Sequence, residues 1–306
     1  MNNVELHPAN EPMLQRLPAK LTELGTGMMI RRALPNRQKR MIGAWCFLDH
    51  AGPMDIGNGE GMRVGPHPHT GLQTFTWMIE GEVLHRDSLG FEQVIRPNQV
   101  NLMTAGRGIS HSEESPAQHS SRLQLAQFWI ALPNEHRYCQ PAFQHYPDLP
   151  VILQDGFRVT LLVGEALGER APTEVYTPLV AMDFTANEAA TTQLSLNPDF
   201  EYGVLVLEGE AVVMGEILTA GVLLDLGIGR TELNMQSTGA TRLLLIGGEP
   251  FKEDILLWWN FVARTQDEVI EYTRLWNAGE HFGGVKGFQG ERLIAPTLPE
   301  GVKVHS

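Results

Sequence analysis

The chain has 306 residues, enough for about two domains, and it is 42% hydrophobic and 19% charged, as is typical of globular proteins. Its 36 acidic and 23 basic residues give a net charge of −13, so we expect no direct nucleic-acid partner. The only two cysteines are Cys46 and Cys139, which excludes a disulfide scaffold.

The N-terminal segment has no basic start followed by an apolar core, which predicts that there is no secretory signal. Apolar runs such as residues 255–259 are far shorter than the roughly 20 residues needed to cross a bilayer. We therefore expect a cytoplasmic, reduced protein with no membrane partner.

Short apolar runs separated by glycine and proline fill the chain up to about residue 250, and long amphipathic helical patterns are nearly absent there. This pattern predicts an all-β sandwich or barrel. The segments 79–83 and 207–211 each place a Glu-Gly-Glu turn after an apolar stretch, and Gly209 follows Gly81 by 128 residues. Two similar β-domains in tandem would produce such a repeat.

The repeat suggests where the domains begin and end. Four prolines between residues 133 and 150 indicate the connection between them. We predict an N-terminal barrel over residues 1–140, a C-terminal barrel over 150–250, and a C-terminal region, 251–306, that packs on the barrels.

One helix is predicted in the C-terminal region. Thr265 and Glu268 have the spacing of a capping box, apolar residues follow, and Gly279 supplies a stop. The pattern predicts a helix at about residues 266–277.

The histidines give the most specific functional signal. His67 and His69 form one pair at i, i+2 spacing, and His111 and Glu113 form another. In strands, side chains at that spacing point to the same face, so two neighbouring strands would bring three imidazoles and one carboxylate together. This set suits a divalent transition metal. A lone histidine is usually a polar residue without such a role, but two pairs favour the metal.

The second half of the chain is predicted to bind no metal. It has no histidine from residue 146 to residue 280, and Ser195 and Asn197 lie 128 residues after the first histidine pair. Neither side chain can replace an imidazole as a transition-metal ligand.

If the first histidine pair begins one long strand, the following odd-numbered residues share its face. Phe75 and Trp77 would then contact a bound substrate, together with Met103, whereas Thr74 would point away. A bulge at Gly71 would reverse this parity.

Other conspicuous residues have simpler interpretations. His50 and His85 could be outer partners of the metal ligands, but we favour strand-end residues that hydrogen-bond the backbone. The aromatic cluster of Trp258, Trp259 and Phe261 is interpreted as core or domain contact.

Three ordered motifs resemble the pirin family of the cupin superfamily: HPHTGLQT at 67–74, IEGEVLHRDSLG at 79–90 and LMTAGRGISHSEESP at 102–116. DHAGP at 49–53 and NFVARTQDEV at 260–269 are also similar to pirin segments. The resemblance spans most of the chain. It implies an all-β bicupin, with two tandem jelly-roll-like cupin barrels, a short C-terminal helix and one mononuclear metal site in the N-terminal barrel.

Carried over by motif, the metal ligands of the family fall on His67, His69, His111 and Glu113, the set that the spacing selects. One position departs from the family pattern, because many relatives have Glu where this chain has Gln73. An amide cannot serve as a carboxylate ligand or base, so a role of that Glu in relatives does not transfer to this chain.

The resemblance to bacterial-type pirins also implies a quercetinase-type activity, in which a metal-dependent dioxygenase opens a flavonol ring with O2. In that scheme the metal binds the deprotonated flavonol oxygen and Glu113 accepts its proton. We favour Fe(II) as the single divalent metal over Ni, Cu, Mn, Co or Zn. The alternative is a non-enzymatic, redox-sensing or regulatory protein that acts through protein partners, for which a closed tetrahedral zinc site would suffice.

Overall fold

The computed structural model describes residues 13–24 and 28–298. The strands of the first half are, in chain order, β1 (Gln15–Pro18), β2 (Lys20–Leu24), β3 (Met28–Leu34), β4 (Trp45–Asp55), β5 (Arg63–His69), β6 (Leu72–Glu80), β7 (Val83–Asp87), β8 (Glu92–Ile95), β9 (Val100–Thr104), β10 (Ile109–Glu114), β11 (Arg122–Ala131) and β12 (Ala142–Tyr146).

The second half continues with short strands and ends in one helix. Its elements are β13 (Val151–Gln154), β14 (Phe157–Val163), β15 (Glu165–Ala166), β16 (Glu169–Arg170), β17 (Leu179–Ala186), β18 (Ala190–Ser195), β19 (Glu201–Glu208), β20 (Glu210–Val213), β21 (Glu216–Thr219), β22 (Val222–Ile228), β23 (Glu232–Ser237), β24 (Thr241–Gly248), β25 (Leu256–Trp258), β26 (Phe261–Ala263) and α1 (Gln266–Ala278).

The strands form two barrels of the same design. The first barrel has a seven-stranded sheet in the order β12-β9-β6-β11-β4-β3-β2 and a four-stranded sheet in the order β5-β10-β7-β8. The second barrel repeats this with β1-β22-β19-β24-β17-β14-β13 and β18-β23-β20-β21. Because the two orders match strand for strand, the predicted all-β fold with tandem barrels is confirmed.

The internal repeat corresponds to the same corner in each barrel. Gly81 lies between β6 and β7 with φ 81°, and Gly209 lies between β19 and β20 with φ 76°. A Cβ atom on Gly81 would lie 2.2 Å from the carbonyl oxygen of Arg122, and one on Gly209 would lie 2.3 Å from that of Ala240. Only glycine suits a corner with this backbone and this close approach.

One strand near the N-terminus belongs to the second barrel rather than the first. Strand β1 pairs with β22 of the second sheet, with Gln15 opposite Asp225, whereas β12 takes the matching place in the first sheet. The predicted N-terminal region therefore contributes a strand to the second barrel. The boundaries at residues 140, 150 and 250 stay a prediction.

The two seven-stranded sheets share one hydrophobic core. It contains large side chains of the first barrel and aliphatic side chains of the second, among them Trp45, Phe75, Trp77, Phe128, Leu162, Leu205, Leu244 and Ile246. The Nε1 of Trp77 donates to the Oδ2 of Asp183 across this contact, at 2.7 Å. The barrels are therefore packed as one unit rather than joined only by a linker.

The helix was predicted at 266–277 and spans Gln266–Ala278, which confirms it. The Oγ1 of Thr265 accepts from the backbone N of Glu268, and Gly279 ends the helix at φ 77°. The carboxylate of Glu268 accepts from the backbone N of Arg264, so only half of the capping box forms. Within the described residues, no helix is long and apolar enough to span a membrane.

Glu268 also attaches the helix to the segment between the barrels. Its carboxylate accepts two hydrogen bonds from Arg137, at 2.7 and 2.9 Å, and one from the hydroxyl of Tyr138, at 2.8 Å. Burial alone would raise the pKa of Glu268, but the bonds from Arg137, Arg264 and Tyr138 outweigh burial and lower the pKa to about 2.

We expect Glu268→Gln to lower the free energy of unfolding at pH 7 by about 1–2 kcal/mol, less than the full pKa shift because the side chain is partly solvated. A lowered carboxyl pKa stabilises the fold above the unfolded-state value, so the difference from wild type should shrink as the pH falls from 4.5 towards 2. Urea titrations at several pH values measure this difference. The exposed Glu271→Gln is the control and should change stability little.

Candidate metal centre

The two predicted pairs lie on neighbouring strands of the four-stranded sheet. Strand β5 carries His67 and His69 at its end, and β10 pairs with it so that His111 lies opposite His67. The register shifts between His111 and Glu113, which is a bulge in this ladder. One ring nitrogen from each of the three histidines lies within 4.8 Å of the other two.

Backbone carbonyls fix two of the imidazoles. The Nδ1 of His67 lies 2.9 Å from the oxygen of Gly65, and the Nδ1 of His69 lies 3.0 Å from the oxygen of Asn260. A carbonyl oxygen can only accept, so each Nδ1 must carry the proton and each Nε2 must present a lone pair. Orienting bonds of this kind are usual around metal-ligating histidines.

His85 holds the third imidazole. Its Nδ1 lies 3.3 Å from the Nδ1 of His111, and its Nε2 lies 3.1 Å from the Oδ2 of Asp87. The carboxylate of Asp87 accepts from the Nε2 of His85, which leaves the Nδ1 of His85 to accept from His111. The simpler interpretation of His85 was therefore wrong. The i, i+2 spacing of His85 and Asp87 in β7 was the available signal.

These three residues fit a divalent transition metal. The Nε2 atoms of His69 and His111 lie 3.1 Å apart, and in these tautomers both present lone pairs, so a cation between them would remove a repulsion. Two nitrogen ligands bound about 2.1 Å from one ion, at about a right angle, lie about 3 Å apart. The His69–His111 separation agrees with that value.

Burial sets the protonation of the site. It lowers the pKa of His67 to about 4 and the pKa values of His69 and His111 well below their ordinary value, which keeps the imidazoles in the neutral, ligating form. Burial raises the pKa of Glu113 to about 7. Glu113 lines the same cavity, but its carboxylate is outside the three-histidine cluster, so its role as a ligand stays a prediction.

The histidines lie at a cavity of about 400 Å³ inside the first barrel. Its walls are apolar and aromatic with a few polar groups, and they include Arg32, Phe47, Asp49, Thr74, Gln127, Trp129, Leu257, Trp259 and Leu293. Arg32, Asp49, Thr74 and Gln127 come from the seven-stranded sheet.

The predicted contacts of Phe75, Trp77 and Met103 with substrate were wrong. Phe75 and Trp77 are fully buried in the core between the barrels, and Met103 is buried in a separate cluster. Thr74 lines the cavity instead. The chain leaves the four-stranded sheet after His69 and enters the other sheet at Leu72, so the turn at Gly71 reverses the parity.

Gln73, the departure from the family pattern, lies outside the cavity. Its side chain is fully buried, and its Nε2 donates to the Oγ1 of Thr104 at 2.9 Å and to the carbonyl oxygen of Glu174 at 3.1 Å. Gln73 therefore connects the first barrel to the segment that leads into β17. Its amide has no part in the histidine cluster.

The C-terminal region covers one side of the cavity. The turn between β25 and β26 brings Trp259 to the cavity wall, although this residue was interpreted as core. Phe261 is fully buried, as expected. The segment after α1, residues 280–298, forms a strap that contributes Leu293 to the cavity wall. The backbone N of Leu293 donates to the oxygen of Pro66 in β5 at 2.9 Å.

The remaining histidines and the second barrel form no comparable site in the described residues. His50 lies within β4 and its Nε2 is 3.1 Å from the Nε2 of Gln124, away from the cavity. Ser195 ends β18, the counterpart of β5, and Asn197 follows it. The triad in the first barrel is the one cluster of potential metal ligands in the described part of the chain.

We expect His85→Ala to weaken metal binding by about 10–100-fold while leaving the three ligating side chains in place, because outer partners orient ligands. Competition titration against a metal-binding dye measures the affinity. His145→Ala is the control, because that half-buried histidine bonds Asn101 outside the cavity. Equal affinities in the two variants would show that His85 does not support the site.

The fold and the site define a bicupin with one candidate mononuclear metal centre. Residues 27–130 match the Pirin family model, and residues 181–283 match that of the Pirin C-terminal cupin domain. The chain therefore belongs to the pirin family.

Several relatives of this chain are known by sequence or by a solved structure. The chain is 51% identical over 292 residues to a Pseudomonas aeruginosa protein named "Putative quercetin 2,3-dioxygenase", covering 95% of this chain and 92% of that protein. The crystal structure of quercetin 2,3-dioxygenase from Acinetobacter baumannii matches with a TM-score of 0.92 at 52% identity, covering 95% of this chain and 97% of that chain. A bacterial pirin from Escherichia coli in complex with nickel(II) shares the fold at 19% identity, with a TM-score of 0.61 over 78% of this chain and all of that chain.

Proposed function

We propose that the protein is a mononuclear, metal-dependent dioxygenase of the quercetinase type, which opens the ring of a flavonol-like substrate with O2. The observation that carries the proposal is the convergence of three buried Nε2 lone pairs on a partly aromatic cavity. The names of the Pseudomonas aeruginosa and Acinetobacter baumannii relatives support the same reaction class. His67, His69, His111 and Glu113 are the proposed ligands, and we favour Fe(II) because histidine and carboxylate ligands with open positions are typical of non-haem iron oxygenases.

A metal held by these residues would supply Lewis acidity towards a substrate hydroxyl and the one-electron chemistry that O2 requires. The residues of the chain bind and orient the substrate. Trp129 and Phe47 form an apolar aromatic stack beside His69 that lines the cavity and can contact an aromatic ring. Leu257, Trp259 and Leu293 contribute apolar side chains to the cavity from the C-terminal side.

Glu113 is the proposed proton acceptor. Its carboxylate lines the cavity that contains the histidines, within reach of a substrate that occupies the same space. In this role one carboxylate oxygen takes the proton of the substrate hydroxyl and holds it while the ring opens.

Metal analysis followed by an oxygen assay tests the function. The protein is purified without added metal, its metal content per chain is determined, and it is then loaded separately with Fe(II), Ni(II), Co(II), Mn(II), Cu(II) and Zn(II). We expect at least one metal to support equal molar consumption of flavonol and O2. If no loaded form consumes O2 with any flavonol, the enzymatic proposal fails, and the non-enzymatic role with protein partners becomes the better explanation.

A further inference from the structure

One wall of the cavity is a continuous stack that leads away from the histidines. The ring of His69 meets that of Trp129 edge to face at 5.1 Å, and Trp129 is stacked on Phe47 at 4.0 Å with 12° between the planes. The guanidinium carbon of Arg32 lies 4.5 Å from the centre of the Phe47 ring. A planar ligand on this wall would have the candidate metal centre at one end and a cation at the other.

Arg32 is fixed by two partners. Its Nε and Nη2 donate to the two carboxylate oxygens of Asp49, at 2.8 and 2.7 Å, and its guanidinium lies over Phe47. Asp49 is buried, whereas the side chain of Arg32 is 28% exposed, so this fork-to-fork pair is desolvated mainly on the carboxylate side. The remaining nitrogen, Nη1, has no acceptor among the described residues, and Arg32 lines the cavity.

The spacing of the strands gives the length of the wall. Trp129 lies on β11, Phe47 and Asp49 lie on β4, and Arg32 lies on β3, which are successive strands of one sheet. Two strand spacings, about 10 Å, combine with the two-residue offset between Phe47 and Asp49 to place the Cα atoms of Trp129 and Arg32 about 12 Å apart. This distance suits a planar molecule of two or three rings that carries a chelating oxygen at one end and a polar group at the other.

We infer that Arg32 determines substrate specificity by donating a hydrogen bond from Nη1 to a phenolic hydroxyl on the pendant ring of a flavonol-like substrate. The inference rests on the proposed function for the class of substrate, but it concerns binding rather than turnover. A ligand without that hydroxyl would forgo a hydrogen bond to a charged, partly buried donor, a loss that discriminates between analogues. Asp49 and Phe47 are positioning residues in this arrangement.

Two flavonols test the inference. Quercetin carries two hydroxyls on its pendant ring, and galangin carries none but is otherwise the same molecule. Dissociation constants are measured without O2 on the metal-loaded protein, from the quenching of tryptophan fluorescence. We expect the wild type to bind quercetin at least about ten-fold more tightly than galangin, since a hydrogen bond to a charged group is at stake.

The variant is Arg32→Lys, which keeps a positive charge beside Asp49 and so avoids a buried, unpaired carboxylate. It should reduce the preference for quercetin to about three-fold or less while leaving the affinity for galangin unchanged. Arg31→Lys is the matched control, because Arg31 is the adjacent residue of β3 and donates to the oxygen of Gly52 outside the cavity. It should keep the wild-type preference.

The results separate this inference from the proposed function. A wild-type preference that Arg32→Lys abolishes supports the role of Arg32 even if no O2 is consumed, in which case only the proposed reaction fails. A preference that survives in Arg32→Lys, equal binding of the two flavonols by the wild type, or no binding of either overturns the role of Arg32, even if O2 is consumed.

Discussion

His111→Ala should reduce bound metal from a stoichiometric amount to near background. His111 is the central histidine of the cluster, since its Nε2 faces the Nε2 of His69 and its Nδ1 contacts His85. Its removal takes away one nitrogen ligand and disconnects the support that Asp87 provides through His85. Two imidazoles of the triad would remain. Metal analysis of the loaded and desalted protein measures the loss.

The control for this experiment is His119→Ala, which removes a histidine that contacts backbone oxygens of Gly59 and Ser120 outside the cavity. It should bind metal as the wild type does. Circular dichroism and thermal unfolding of the metal-free proteins should show that both variants fold. A folded His111→Ala protein with stoichiometric, tightly held metal would contradict the proposed site.

Glu113→Gln should lower the rate of flavonol turnover by about 100-fold or more, the contribution expected of a lost general base. The amide has nearly the shape of the carboxyl group, and its oxygen can still face the cavity, but it cannot accept a proton from the substrate. We therefore expect metal occupancy to fall much less than turnover does. Both quantities are measured on the same preparation, as metal per chain and as flavonol consumed per bound metal.

Glu114→Gln is the matched control, because the neighbouring carboxylate forms an ion pair with Arg86 and is outside the cavity wall. It should retain turnover within a few-fold of the wild type. Full turnover in Glu113→Gln would leave the dioxygenase proposal standing but would remove Glu113 as the proton acceptor. Loss of metal in parallel with turnover would keep Glu113 as a ligand but remove the evidence that it also acts as a base.

Local patterns in the sequence were sufficient to find the histidine triad. The i, i+2 spacing of His67 and His69 is a property of a single strand, and the ladder between β5 and β10 supplies the rest. The same spacing in His85 and Asp87 is present in the sequence, but it does not show which side chain His85 contacts. The contact between His85 and His111 depends on the neighbouring strand, and only the fold shows that these two strands are adjacent.

Other parts of the site have no local signal. The contact of Asn260 with His69 depends on a backbone carbonyl, which every residue type carries, so the identity of residue 260 predicts nothing. The wall of Trp129, Phe47 and Arg32 is assembled across three strands, and only their register brings the side chains together. Strand β1 was missed for a similar reason, since four residues at a sheet edge resemble many other short segments.

The contact between His69 and the backbone carbonyl of Asn260 determines when the histidine site can be completed during synthesis. Asn260 follows His69 by 191 residues, and the strap that covers the cavity comes still later. Chains grow from the N-terminus, and domains generally fold as they emerge from the ribosome. The first barrel therefore emerges with the Nδ1 of His69 unsupported, and a prematurely ended chain lacks this part of the site. Full support of the histidine triad becomes possible only when nearly the entire chain has been synthesised.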